Sequence, residues 1–580
     1  ANDDYDGDND GETIATETIT LGAVGSADEI GKLTLDAADG ITLTGDITLA
    51  NKALADLDVN SKVFISGDVT IDTDNATHDG LVDFASTIDG VNGGDDDDLV
   101  ILAGDTAEGG ILTLGGAIGS TQGLTTLNIN ATDGDISFTV PQVGDGAGGD
   151  AGVSGATAFG NSGSGDIIFS AGTANAYKFG GSLTVTSDGG AGAFQFTGSD
   201  PTVTAGGAVA FNEGSGTDDT MVLADLKDLT IDTSAANANV TLPNIDGTAG
   251  DGDDQTDFTV DAGSGTVDVQ SIDTDINDII ITGSTITLNG DITTAAGTGG
   301  GADAASIDLN GAVVIAGGTR TLTSGNGTID FSSTVNSEAS QTRALELASG
   351  SGAVAINGTV GAGTNGTLGN LTINSAGTGN ITLSTVGADA AAGAAVIAVG
   401  NTSTGTLTLS GVDYHSGSSQ QTYTGDTILI TGTAPSFTAS NANISFVDGG
   451  TADITLSDAA DLTIRTSGGN IDIAPEIKGT ANGTNTSVTL NAGGGNVVLD
   501  NTGTGVIHTD IGAVAITGAT IELSDNITTD NANITLTGAV VLDGGDVVVT
   551  SGGGNIEFTS TVDTKNGAGA ARALTIANTS

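Results

Sequence analysis

The stretch ITLTGDITL at 41–49 returns as ITLNGDITT at 286–294 and as IELSDNITT at 521–529. Two further segments return in the same order. VDFASTIDG (82–90) reappears as IDFSSTVNS (329–337) and IEFTSTVDT (556–564), and TRALELASG (342–350) as ARALTIANT (571–579). Ordered self-similarity over such distances marks a repeat architecture, built from a module of about 240 residues. It divides the chain into an acidic N-terminal joint with a partial repeat (1–40), two modules (41–285 and 286–520) and a partial third (521–580).

Inside the module, short runs such as GTLTLSG, NVVLDN and NISFV place an aliphatic or β-branched residue at every second position. That is the period of a half-buried strand. Gly, Asn, Asp and Ser, the turn formers, separate the runs. Helical periodicity is confined to two weak segments, 51–62 and 387–400. A smaller unit also recurs, as AVGSADEIGKLTLDAADGITL (23–43), AIGSTQGLTTLNINATDGDISF (117–138) and TVGAGTNGTLGNLTINSAGTGNITL (359–383).

Short strands that cannot bury a face alone must stack on copies of themselves, which is a solenoid. A coil of roughly 20 to 25 residues is expected, giving about 25 coils and a rod on the order of 120 Å at the spacing of stacked strands. Tandem β-sandwiches are the alternative. They usually rely on a buried Trp or other large anchors, whereas this chain has no Trp and only 3% aromatic residues. Its 37% apolar content points to a thin aliphatic core and argues against disorder.

The end of the chain matches a segment whose other copy, 342–350, directly precedes the small unit found near residue 23. Beginning and end are therefore in phase. Either the sequence is cut from a longer tandem protein, so that its partners are flanking repeats, or copies of the chain stack head to tail through open edges.

Net charge is −62, from 73 acids against 11 bases. Phosphate backbones need clustered Lys and Arg, so nucleic acid is excluded as a partner. No apolar run approaches the length of a membrane span, so no membrane insertion is expected. With no Cys, redox compartment is not legible. The acids call for counter-ions, and calcium is the expected cofactor. DGDNDGETIATE (6–17) fits the calcium-loop pattern, with Asp6, Asp8, Asp10 and Glu17 as side-chain ligands and Glu12 offering its carbonyl. GGDDDDLVI (93–101) supplies Asp95, Asp96 and Asp98 in a single copy of a β-roll-like motif, and DGDDQTD (251–257) supplies Asp251, Asp253 and Asp257.

The units GGTRTLTSGNGTIDFSSTVNS (317–337), GTLTLSGVDYHSG (405–417) and SGSSQQTYTGDTILITGTAPSFTASNANISFVDG (416–449) resemble the strand repeats of very large bacterial surface proteins, those similar to filamentous haemagglutinin and autotransporter passenger domains. The resemblance implies a right-handed parallel β-helix, export, and a place in adhesion, biofilm matrix or cell-surface fibres. No secretion domain or receptor-binding motif accompanies it.

Chemistry finds little support. His78, His415 and His508 have no metal-ligand spacing. No nucleophile elbow or phosphate loop occurs. Arg320, Arg343, Arg465 and Arg572 are scattered, and no carboxylate pair stands out for glycoside hydrolysis. The chain is expected not to be an enzyme. Asn357, Asn365, Asn370, Asn380, Asn482 and Asn533 head Asn-x-Ser/Thr triplets, which an Asn- and Thr-rich solenoid also generates without selection. The expected function is an extracellular, calcium-stabilised structural solenoid. An adhesin or biofilm-matrix stalk, surface glycans as partners, and a carbohydrate-active β-helix are the alternatives.

Overall fold

The computed structural model describes residues 17–579 except 26–29, 51–54, 75–79, 92–96, 104–111, 133, 140–142, 145–151, 164, 171–175, 188–193, 214–219, 249–255, 274, 295–304, 363–365, 374–378, 388–392, 450–452, 459, 481–485, 502–504, 509 and 566–570. Regular structure among these residues is all β, and the strands pair in parallel, each with the strand one coil on. The chain divides into two compact units: Ala1–Thr248 with Asp261–Gly265, and Ala249–Val260 with Thr266–Ser580. Each is a parallel β-solenoid. Sandwiches are built from antiparallel sheets, so that alternative is overturned. The two weak helical segments are corrected as well: where described, they form the strands Leu57–Val59 and Ala394–Val399. Alternation at period two outweighed their Ala content.

In the first unit, strands stack on three faces. One runs through Thr18–Leu21, Gly40–Leu43, Val63–Ile65 and Ile88–Gly90. A second runs through Ile47–Thr48, Val69–Asp72, Asp98–Ala103, Thr126–Ala131 and Thr157–Asn161. The third runs from Leu33–Leu35 through Ile136–Phe138 and Ile167–Phe169 to Asn244–Gly247. The second unit repeats the plan. Paired residues on neighbouring coils lie as little as 19 apart, as Thr266 with Thr285, and as much as 34 apart, as Val143 with Tyr177. The coils thus run longer and vary more than expected, because corners absorb insertions that strands cannot.

Within the second unit the recurring segments fold alike but do not stack on one another. ITLNGDITT and IELSDNITT both form strand, short corner, strand. The stack that starts at Ile286 passes through Val313, Val335, Val360, Val386, Tyr414, Phe437, Ile464 and Leu490 to Ile516. Past an irregularity between Thr517 and Thr520, the second half of the same strand, with Ile521, lies on the next face, in the stack of strands that holds Ile292, Leu322 and Leu347. From Ile286 to Ile521 the chain advances by whole coils plus one face. Three faces with the same aliphatic interior accept the same strand–corner–strand sequence equally well.

The small recurring unit has its own device. Gly25, Gly119 and Gly361 follow its single bridging residue with φ of 76°, 64° and 69°. A Cβ at these positions would lie 2.0, 2.1 and 1.9 Å from the carbonyl oxygens of Thr48, Gly152 and Gly393 on the next coil. Only glycine turns left-handed this close to a neighbouring backbone.

The interior is aliphatic, with inward Ile, Leu and Val side chains fully enclosed in coil after coil. Two regions depart from that. In the first unit Phe138, Phe169 and Phe196 stack, with ring centroids 5.2 and 4.8 Å apart. In the second, Tyr414 stacks on Phe437 at 4.5 Å and Tyr423 on Phe446 at 5.1 Å. Most of the described aromatic residues lie inside, where each buries more area than an aliphatic neighbour.

Candidate functional site: acids at the coil corners and the last coil

Many described acids accept a hydrogen bond from a backbone N–H. A carboxylate accepts hydrogen bonds only, and a parallel coil always offers the N–H that enters the next strand. Asp46 Oδ1 accepts from the Thr70 N–H at 2.8 Å, Asp135 from Asp166 at 2.9 Å, Asp291 from Thr321 at 2.9 Å and Asp461 from Ser487 at 2.8 Å. Asn takes the same place elsewhere: the Asn470 N–H donates to Asn443 Oδ1, and the Asn496 N–H to Asn470 Oδ1. Asn380 and Asn533, two of the triplet asparagines, are bound in the same way. Asn357 donates to Asp330 at 2.7 Å.

Of the acids read as calcium ligands, Asp6, Asp8, Asp10, Glu12, Asp95, Asp96, Asp251 and Asp253 lie outside the described residues. Glu17 is described: its N–H donates to Asp39 Oδ2 at 2.7 Å and its carbonyl accepts from Asp39. Asp98 Oδ1 accepts from Thr126 Oγ1 at 2.8 Å. Asp257 accepts from the Asp278 N–H at 3.1 Å and Asn277 Nδ2 at 3.2 Å. Among the described residues no group of three or more His, Asp or Glu is placed to hold a metal ion. The sequence reading passed over Asp97. This residue is only 4% exposed, and its two oxygens accept from the Gly67 and Val91 N–H groups, both at 2.9 Å. Its neighbours in a run of four acids hid it.

Some acids oppose each other coil on coil. Asp58 faces Asp83, and Asp308 faces Asp330. Partial burial pushes the carboxyls of Asp83, Asp308, Asp330 and Asp472 up. Like charge adds to this: Asp58 for Asp83, Asp330 and Asp278 for Asp308, Asp500 and Glu522 for Asp472. A carboxyl whose folded value is raised favours the fold when protonated. That gain is complete below the unfolded value near pH 4 and disappears as pH rises through the folded one. Stability should therefore increase as pH falls from 7 toward 4, opposite to ordinary acid unfolding. Replacing Asp308 by Asn should stabilise by about 0.5 kcal/mol at pH 7 through loss of the opposed charge and should flatten the slope. Thermal melts across that pH range test both, and a steady loss of stability on acidification would refute the account.

Several basic side chains form ion pairs. Arg343 pairs with Glu338 at 2.6 Å, Lys32 with Asp58 at 2.7 Å and Lys565 with Asp543 at 2.5 Å. His508 meets Glu476 at 2.9 Å, and burial lowers the pKa of His415 on an outer position.

The last coil differs from those before it. Its strands Ile556–Phe558, Val562–Thr564 and Leu574–Asn578 pair with the preceding coil on one side only. Val562 is 37% exposed and Ile576 55%, where the corresponding Val335 and Leu347 are fully buried. Among the described residues no helix is long and apolar enough to cross a membrane. In comparisons with known proteins, no family model, curated protein or solved structure matches this chain.

Proposed function

We propose that this chain is a structural β-solenoid of an extracellular filament, fibre or coat, that copies join head to tail, and that calcium offsets their mutual repulsion. The observation that carries the reading is the parallel stacking of inward aliphatic side chains, coil on coil, within each unit. An open solenoid end recruits another strand-forming surface. A non-closing, heterologous contact of that kind yields a filament. Placement outside the cell rests on the resemblance to bacterial surface repeats. The calcium part rests on the charge of −62 and the loop Asp6–Glu17.

Electron micrographs of the purified chain in millimolar calcium should show filaments that shorten in EDTA, with a lower melting temperature. Isolated particles under both conditions would remove the assembly reading. Equal melting with and without chelator would remove calcium.

A further inference from the structure

The four arginines of this chain are not used alike. Arg343 and Arg572 pair with Glu338 and Asp543, and Arg320 donates to the Leu288 and Thr319 carbonyls. Arg465 is exposed and has no hydrogen bond or ion pair among the described residues, although the chain holds 73 acids. The face it stands on explains this. Register puts Arg465 between Thr438 on the coil before and Asn491 on the coil after, and the next outward column holds Ser436, Thr463 and Thr489. Along this stack of strands an outward acid returns only at Asp413, two coils before, and at Glu557, four coils after. Two coils are about 10 Å at the spacing of stacked strands. Asp461, at the entry to the Arg465 strand, accepts instead from the Ser487 N–H and hydroxyl, both at 2.8 Å.

The outer surface is hollow here, with a volume of about 470 Å³ lined chiefly by Thr438, Ser440, Arg465, Ser467, Asn491 and Gly493. Gly493 keeps it open: it turns left-handed with φ 56°, where a Cβ would lie 2.5 Å from Ser467 O. Asn491 Oδ1 accepts from the Gly493 N–H at 3.0 Å, which leaves its Nδ2 as a donor without a partner among the described residues. We infer that this hollow binds a monoanionic sugar acid, its carboxylate on the Arg465 guanidinium and its hydroxyls on Thr438, Ser440, Ser467 and Asn491. The volume is that of a small-molecule site. A guanidinium meets a carboxylate through two parallel N–H bonds. A phosphate dianion would find one cation here against a chain charge of −62, so a single negative charge is the match. The other lining side chains are neutral hydroxyls and an amide, which suit a polyol better than an apolar carboxylate. The site lies within the second unit and depends neither on head-to-tail joining nor on calcium.

Calorimetry or saturation-transfer NMR on the whole chain, in metal-free buffer, tests this with sodium glucuronate, glucose, acetate and inorganic phosphate as probes. Glucuronate should bind weakly at a single site, glucose should not bind, and acetate and phosphate should bind about tenfold less tightly than glucuronate or worse. Arg465→Gln should melt as wild type, since the side chain has no partner to lose, and should weaken glucuronate binding by about tenfold or more, as loss of a charge-assisted pair does. Arg465→Lys should restore only part of the affinity, because an ammonium lacks the planar fork. Thr438→Val should weaken glucuronate and leave acetate unchanged. Equal affinity for glucuronate and acetate would overturn the sugar class, and tighter binding of phosphate would overturn the monoanion. Unchanged glucuronate binding in Arg465→Gln, or none to the wild type even at high millimolar concentration, would overturn the site. None of these outcomes bears on whether the chain forms filaments, which the micrographs decide separately.

Discussion

Phe169→Ala is expected to cost the first unit about 4 kcal/mol. The ring is 1% exposed and lies between Phe138 and Phe196, at 5.2 and 4.8 Å, with the Tyr177 edge 5.2 Å away. Removing it leaves a cavity between the Phe138 and Phe196 rings, and the parallel strands on either side are fixed by their own hydrogen bonds and cannot close it. In a solenoid each coil touches only its neighbours, so the loss should be local. Amide exchange should accelerate in Ile136–Phe138, Ile167–Phe169 and Phe194–Phe196 well before the second unit responds. Phe169→Leu should cost less than half as much. A Phe169→Ala loss under about 1 kcal/mol would mean that these rings are not stacked.

Gln421→Leu is expected to destabilise the second unit by about 3 kcal/mol, although it makes the interior more apolar. Gln421 occupies an inward position between Ile397 and Ile444 and is fully buried. Its Nε2 donates toward Tyr414 O at 3.0 Å, Ser416 Oγ at 3.1 Å and Thr438 O at 2.7 Å. Its Oε1 accepts from the Tyr423 hydroxyl at 3.1 Å. Leucine fills the space but strands that hydroxyl, whose ionisation burial has already pushed out of reach. Adding Tyr423→Phe removes the stranded group and should recover about 1–2 kcal/mol. Chemical denaturation of the wild type, both single variants and the double variant measures the coupling. A neutral or stabilising Gln421→Leu would refute the network.

Much of the architecture is written in residues a few positions apart. ITLTGDITL states two strands, the faces that turn inward, and the corner between them, because side chains alternate at a fixed period of two. The glycine of AVG, AIG and TVG states a left-handed turn for the same local reason. The acids were harder. In sequence, Asp98 and Glu17 look like cation ligands, since nothing nearby shows that Thr126 and Asp39 are their partners. Asp97, the buried acceptor, is indistinguishable there from the other three acids of its run. The aromatic stacks were equally hidden, because 3% aromatic content says nothing about gathering into two stretches of interior.

Strand identity, inward and outward faces, and the acidic surface follow from the order of residues alone, since each depends on contacts within a few positions. Which residue lies above which does not. Stacking depends on the length of every intervening coil, and corners vary too much for that length to be added up from sequence. The move of the module from one face to the next in the second unit and the partners of the corner acids emerge only when the coils are laid on one another.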